Sequence, residues 1–177
     1  IIYKRSTSNL GYDRNLRQSM ELAVGDYCFI LGNDDTLNGN DAITKLVLWL
    51  NAHNLPEIGF CNYAEYRNGT ITGKRAFTNA VIGNGKETAL RYYSCFSFVA
   101  GLIYKRDAFL KYNTDKFDGS IYVQIYLAML MITGGCRLFC IEDAMVLKDI
   151  TIGNEKSNSY RDFIPKKWRE FKTNDGG

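Results

Sequence analysis

The segment Tyr27-Cys28-Phe29-Ile30-Leu31-Gly32-Asn33-Asp34-Asp35 limits the possible folds more than any other stretch of the chain. Tyr27 through Leu31 are apolar without alternation, and the run breaks at a polar turn ending in two adjacent carboxylates. Unbroken apolar character suits a strand covered on both faces, as in a parallel sheet flanked by helices. Ligands of such sheets bind where strands end, so this strand delivers acid to a binding edge. Asp34 and Asp35 repel one another, and a divalent cation with oxygen ligands, magnesium or manganese, makes the pair favourable. The alternative, from the residues alone, is a solvated turn, because Asn and Asp readily bond their own backbone.

A chain of 177 residues fits one domain that buries about two-thirds of its unfolded surface. Its net charge of +3 is too small to make nucleic acid the main partner. That charge is unevenly placed: residues 156–172 hold Lys156, Arg161, Lys166, Lys167, Arg169 and Lys172 against Asp162 and Glu170, a local balance of +4. The expected division is therefore a folded body over residues 1–155 and a basic aromatic tail over residues 156–177. In the tail, Phe163, Trp168 and Phe171 interleave with the basic residues after Pro165, which suits a helix lying on an anionic membrane surface. Packing of those aromatics back onto the domain is the alternative. Five cysteines, an odd number without a Cys-x-x-Cys pair, read as buried thiols in a reducing cytoplasm. No apolar stretch is long enough to span a membrane, and the N-terminus has no signal-peptide pattern.

Along the chain, a helix is expected near Asp13, with Leu16, Met20 and Ala23 on one face and Gly25 as a left-handed cap. After the acidic turn, Asn40 or Asp41 caps a helix whose apolar stripe is Ile43, Leu46, Val47 and Leu50. The lone His53 stands at its exit and reads as structural. Residues 58–63 form a strand, Asn68-Gly69 a hairpin turn, and residues 83–85 a connector without the Lys-Ser/Thr of a phosphate loop. Residues 98–104 form a buried strand in which Gly101 permits close approach of backbone or of a ligand. Asp118 precedes a helix over residues 121–132, and a strand over residues 136–141 ends at Glu142-Asp143.

Three pieces in this order resemble the family 2 glycosyltransferases: Asn9-Leu10-Gly11, then Ala23-Val24-Gly25-Asp26-Tyr27, then Gly32-Asn33-Asp34-Asp35. Members that build O-antigen chains, of the abequosyltransferase type, look most similar. The resemblance implies a GT-A fold with a mostly parallel sheet, a nucleotide-sugar donor, a saccharide or lipid-linked acceptor, and inversion at the anomeric carbon. It implies Asp34 as metal ligand with Asp35 assisting, and Asn9, Gly11 and Asn33 on the donor side. From the residues alone, Asn15 on the first turn of its helix faces either the donor cleft or solvent, and Lys148 either neutralises a leaving diphosphate or, as the favoured alternative, forms a surface salt bridge. Gly101 and Gln124 fall toward the acceptor. The chain departs from the family pattern twice, with Gly32 where the motif has its first acid and Tyr122-Val123-Gln124 where many members carry the basic carboxylate. Gln124 cannot take a proton at neutral pH, so Asp118 is the nearest candidate base, with a helix-capping role as its alternative. The family's opening strand and base-binding turn are not found, so the chain reads as N-terminally truncated. Work at the cytoplasmic side of the inner membrane would suit such an enzyme. A noncatalytic sugar- or nucleotide-sugar-binding domain is the rival class, and a nucleotidyltransferase a third.

Overall fold

The computed structural model describes residues 2–65, 71–72 and 74–148; the Asn68-Gly69 turn and the basic tail lie outside them. Two long strands, β3 (Ile58–Glu65) and β7 (Leu138–Lys148), pair in parallel at the centre. Around them the sheet runs β1-β6-β3-β7-β2, with β1 (Tyr27–Phe29), β2 (Thr36–Leu37) and β6 (Leu102–Lys105), while β4 (Ile71–Thr72) pairs with β3 and β5 (Ala80–Gly83) with β7.

Strand periodicity separates two cores. Ile58, Phe60, Leu102, Tyr104, Leu138 and Cys140 point to one face, and Cys61, Ile103, Phe139 and Ile141 to the other. The first face is covered by α1 (Gly11–Leu22), α3 (Lys86–Tyr92), α4 (Arg106–Tyr112) and α5 (Val123–Thr133), the second by α2 (Ala42–Ala52). Helix α5 is apolar almost throughout because it lies deepest, burying Val123, Leu127, Ala128, Met131 and Ile132. Four of the cysteines are buried and the fifth half-buried, all as free thiols, and burial pushes the Cys61 thiol up to about 11.

Several expectations need correction. The sheet is mixed rather than mostly parallel: among the described residues β3–β7 is the parallel pair and the other five pairs are antiparallel. Strand β6 runs against both its neighbours, so β1, β3 and β7 share a direction without all touching. An apolar run reports that both faces are covered and carries no information on strand direction. Strand β1 stops at Phe29 and pairs, among the described residues, with β6 alone; Leu31 is already exposed. Helix α1 ends at Leu22 with Ala23 extended, so Gly25 is not its left-handed cap. On α2 the buried side is Ala42, Leu46 and Leu50, while Ile43 and Val47 are exposed. One helix on this face needs a narrow stripe only. His53 is structural as expected, stacking on Trp49 at 3.9 Å between centroids.

Candidate active site

The acidic turn follows directly from β1. After Phe29 the chain is held for one more residue, as Ile30 N donates to Leu102 O and Gly101 N donates to Ile30 O, both at 2.9 Å. At residues 32–35 it turns, with Asp35 N donating to Gly32 O at 3.4 Å and Gly32 N donating to Asp35 Oδ2 at 3.1 Å. A Cβ built on Gly32 would lie 2.5 Å from Asp35 Oδ2 and 3.0 Å from Asp34 Oδ1. Both carboxylates therefore turn into the space that a side chain at position 32 would need. Gly32, where the family motif has its first acid, leaves that space open to both carboxylates.

Strand β2 then carries the chain onto β7. Thr36 lies opposite Leu147 and Leu37 opposite Val146, so β2 starts one residue after Asp35 and its partner Leu147 stands one residue before Lys148. Lys148 Nζ lies 3.7 Å from Glu65 of β3. Beside this ladder β3 and β7 slip register around Asn62, where Glu142 and Asp143 bulge out of β7. Bulges of this kind re-aim side chains at strand ends. Glu142 is paired with Lys74 at 2.7 Å, and Asp143 is exposed.

Gly101 and Gln124 sit deeper than a ligand-contacting role requires. Gly101 is buried with φ +78°, and a Cβ there would meet Cys61 Sγ at 2.8 Å and Arg75 Nη2 at 2.9 Å. Gln124 is 2% exposed, with Nε2 donating to Ser97 O at 3.4 Å. Both serve the segment between the 3-10 turn (Tyr93–Phe96) and β6. The other holder of that segment is Arg75, which no sequence pattern singled out.

The N-terminal end of α1 presents Asn9, Gly11 and Asn15. Asn9 Oδ1 accepts from Gly11 N at 3.0 Å and starts the helix, with Gly11 at φ +78°; Asn15 is exposed. Asp13, expected to favour its own helix N-terminus, serves α5 instead. Its buried carboxylate accepts from Gly119 N and Ile121 N at 2.8 Å and from Val123 N at 3.1 Å. This ties the start of α1 to the start of α5.

Asp118 belongs to the same junction. Arg17 grips it with both arms, Nε donating to Oδ1 at 2.8 Å and Nη2 to Oδ2. The hydrogen bond to Asp118, reduced by burial, raises the Arg17 guanidinium above its ordinary value. Arg17 also donates to Asn113 Oδ1 at 3.1 Å and approaches Glu21. Burial pushes the Glu21 carboxyl up, but bonds from Arg14 and Asn113 and the charges of Arg14 and Arg17 outweigh it, leaving the carboxyl below the usual range. Arg14, Arg17, Asn113, Thr114, Asp115 and Asp118 line an open polar depression that shares no residue with the acidic turn.

Among the described residues no group of three or more His, Cys, Asp and Glu is placed to hold a metal. Two converging carboxylates still fit a hard cation whose remaining sites are filled by phosphate and water, as magnesium is commonly bound.

A mixed sheet between helices, with an acidic turn at the end of β1, is the GT-A fold of glycosyltransferases. Staphylococcus aureus TarS, residues 1–349 with UDP-GlcNAc, superposes with a TM-score of 0.62 over 91% of this chain and 44% of its own, at 12% identity. Its structure without that ligand gives 0.58 over 77% and 39%, at 11% identity. In sequence, the chain is 31% identical over 162 residues to the abequosyltransferase RfbV of Salmonella typhimurium strain LT2, covering 83% of this chain and 48% of that protein. It thus spans about half the length of that relative, and the expected resemblance to glycosyltransferases of the abequosyltransferase type holds. No family model matches the chain.

Proposed function

We propose that the protein bearing this chain is a metal-dependent, inverting glycosyltransferase. It moves a sugar from a nucleotide-sugar to a hydroxyl of a polysaccharide or lipid-linked oligosaccharide. The observation that carries this reading is the pair of carboxylates converging over Gly32 at the end of β1. The RfbV relative, named an abequosyltransferase, and TarS, solved with UDP and UDP-GlcNAc, support the donor class. Asp34 would hold the cation, with Asp35 assisting while it closes the turn. The cation supplies charge stabilisation to the departing diphosphate when bound. Lys148 adds positive charge at the same edge, and Asn9, Gly11, Asn15 and Asn33 flank the donor.

The test is release of nucleoside diphosphate from a panel of nucleotide-sugars by the intact protein. Release should need manganese or magnesium, stop with chelator, and rise with a glycan acceptor. Saturable binding without turnover would favour the noncatalytic rival, and release of pyrophosphate from a nucleoside triphosphate the nucleotidyltransferase. Among the described residues no helix is long and apolar enough to cross a membrane. We place the enzyme at the cytoplasmic membrane surface through its basic tail, which vesicle co-sedimentation with and without residues 165–177 checks.

For the proton, Asp118 would have to leave a two-armed guanidinium before it could act as base. The geometry favours a positioning role for it, holding the 113–118 loop to α1. Asp118→Asn is therefore expected to keep turnover within about tenfold of the parent, short of the 10²–10⁴ typical of a lost general base. A larger loss, with the acidic limb of the pH–rate profile abolished, would restore Asp118 as the base.

A further inference from the structure

We propose that Arg75 is a positioning residue that sets the acidic turn through the segment before β6. Its Nε donates to Cys61 O at 2.8 Å, Nη1 to Cys95 O at 3.1 Å and Phe98 O at 2.7 Å, and Nη2 to Ala100 O. One guanidinium thus binds four carbonyls: one on β3, one in the 3-10 turn and two in the following loop. The rings of Phe60, Tyr63 and Phe98 lie 5.5–5.9 Å from its central carbon. Among the described residues no carboxylate pairs with it. Four carbonyl dipoles and three ring faces take the place of a counter-ion, so the guanidinium stays buried only while they stay in place.

Those carbonyls adjoin the backbone that steers the turn. Gly101, next to Ala100, donates to Ile30 O and accepts from Cys61 N at 3.0 Å, and Ile30 N donates to Leu102 O. Two residues after Ile30 comes Gly32. Displacing the 95–100 loop would move Gly101, and Gly101 would carry Ile30 and the acidic turn with it. Gln124 Nε2 donates to Ser97 O at 3.4 Å in the same segment, and Asn62 Oδ1 anchors Arg75 N at 2.9 Å and Ala76 N at 2.8 Å. The planar fork is needed because its donors must reach four oxygens that no single ammonium spans.

The exchange prediction rests on geometry alone, and the metal prediction rests on the proposed function. In the intact protein, Arg75→Lys should accelerate amide exchange in two separate segments, residues 95–104 and 28–35. It should also weaken manganese binding, measured with a nucleoside diphosphate present, by about tenfold or more. Residues 86–92 of α3 should exchange as in the parent, which uniform destabilisation would not allow. Faster exchange in 95–104 alone, in neither segment, or equally in α3 would overturn the proposal. If Arg75→Lys does not fold, Phe98→Leu, which removes one ring and leaves the carbonyl bonds, is read by the same criteria. If the parent shows no nucleotide-dependent manganese binding, the proposed function fails and the exchange pattern alone decides on Arg75.

Discussion

Asp34→Asn should lower kcat/KM for sugar transfer by about 10²–10³, the scale of removing one preorganised stabiliser of transition-state charge. Asp34 sits half-buried on a turn outside both cores, so the change should leave the melting temperature near that of the parent. Asn keeps the shape but loses the charge that a hard cation requires. Asp35 is no substitute, because one of its oxygens is already committed to Gly32 N. Calorimetric titration of manganese in the presence of donor checks the assignment, and equal affinity in parent and variant would remove Asp34 from it. Gly32→Asp makes the complementary point. Restoring the family's missing acid requires the Asp35 and Asp34 carboxylates to swing aside, because its Cβ would lie 2.5 Å from Asp35 Oδ2 and 3.0 Å from Asp34 Oδ1.

The parts of this site that were legible in the sequence are those written in short, contiguous patterns. The acidic turn follows its apolar run within nine residues, and the apolar character of α5 and the buried centre of β3 show equally directly. Direction was not legible. Strand β6 looks the same in either orientation, and the segment leading into it is held by Arg75, whose partners lie 14–25 residues away. Asp13 illustrates the same limit. Its place near a helix start suggested a local role, yet its partners are more than 100 residues distant. Long-range polar pairing has no period, so neither helical nor strand periodicity can reveal it. The exposure of Ile43 and Val47 shows the converse. A 3.6-residue pattern names the side of a helix that can be buried, and the neighbouring element decides how much of it is.

Asp13→Ala is the change expected to cost most stability among the polar residues. The carboxylate is 3% exposed and accepts three backbone N–H groups, and a methyl in its place accepts none. Val123 N would be left buried without a partner, whereas Gly119, on an exposed stretch, can turn to water. Ile121 adds a second cost. It is held at φ +67°, a left-handed conformation that β-branched residues avoid, and its bond to Asp13 helps keep it there. Summing one fully buried donor, one partly buried donor and the weakened turn gives about 2–4 kcal/mol. Urea unfolding should show that loss as a shifted midpoint with an unchanged slope. Asp13→Asn should recover part of it, since its remaining oxygen can still accept from Val123 N. The Arg17–Asp118 pair should loosen as well, because residues 118–123 reach α1 through both contacts. A double-mutant cycle of Asp13→Ala with Asp118→Asn should therefore be non-additive, and simple additivity would show that the two contacts hold separate parts of the loop.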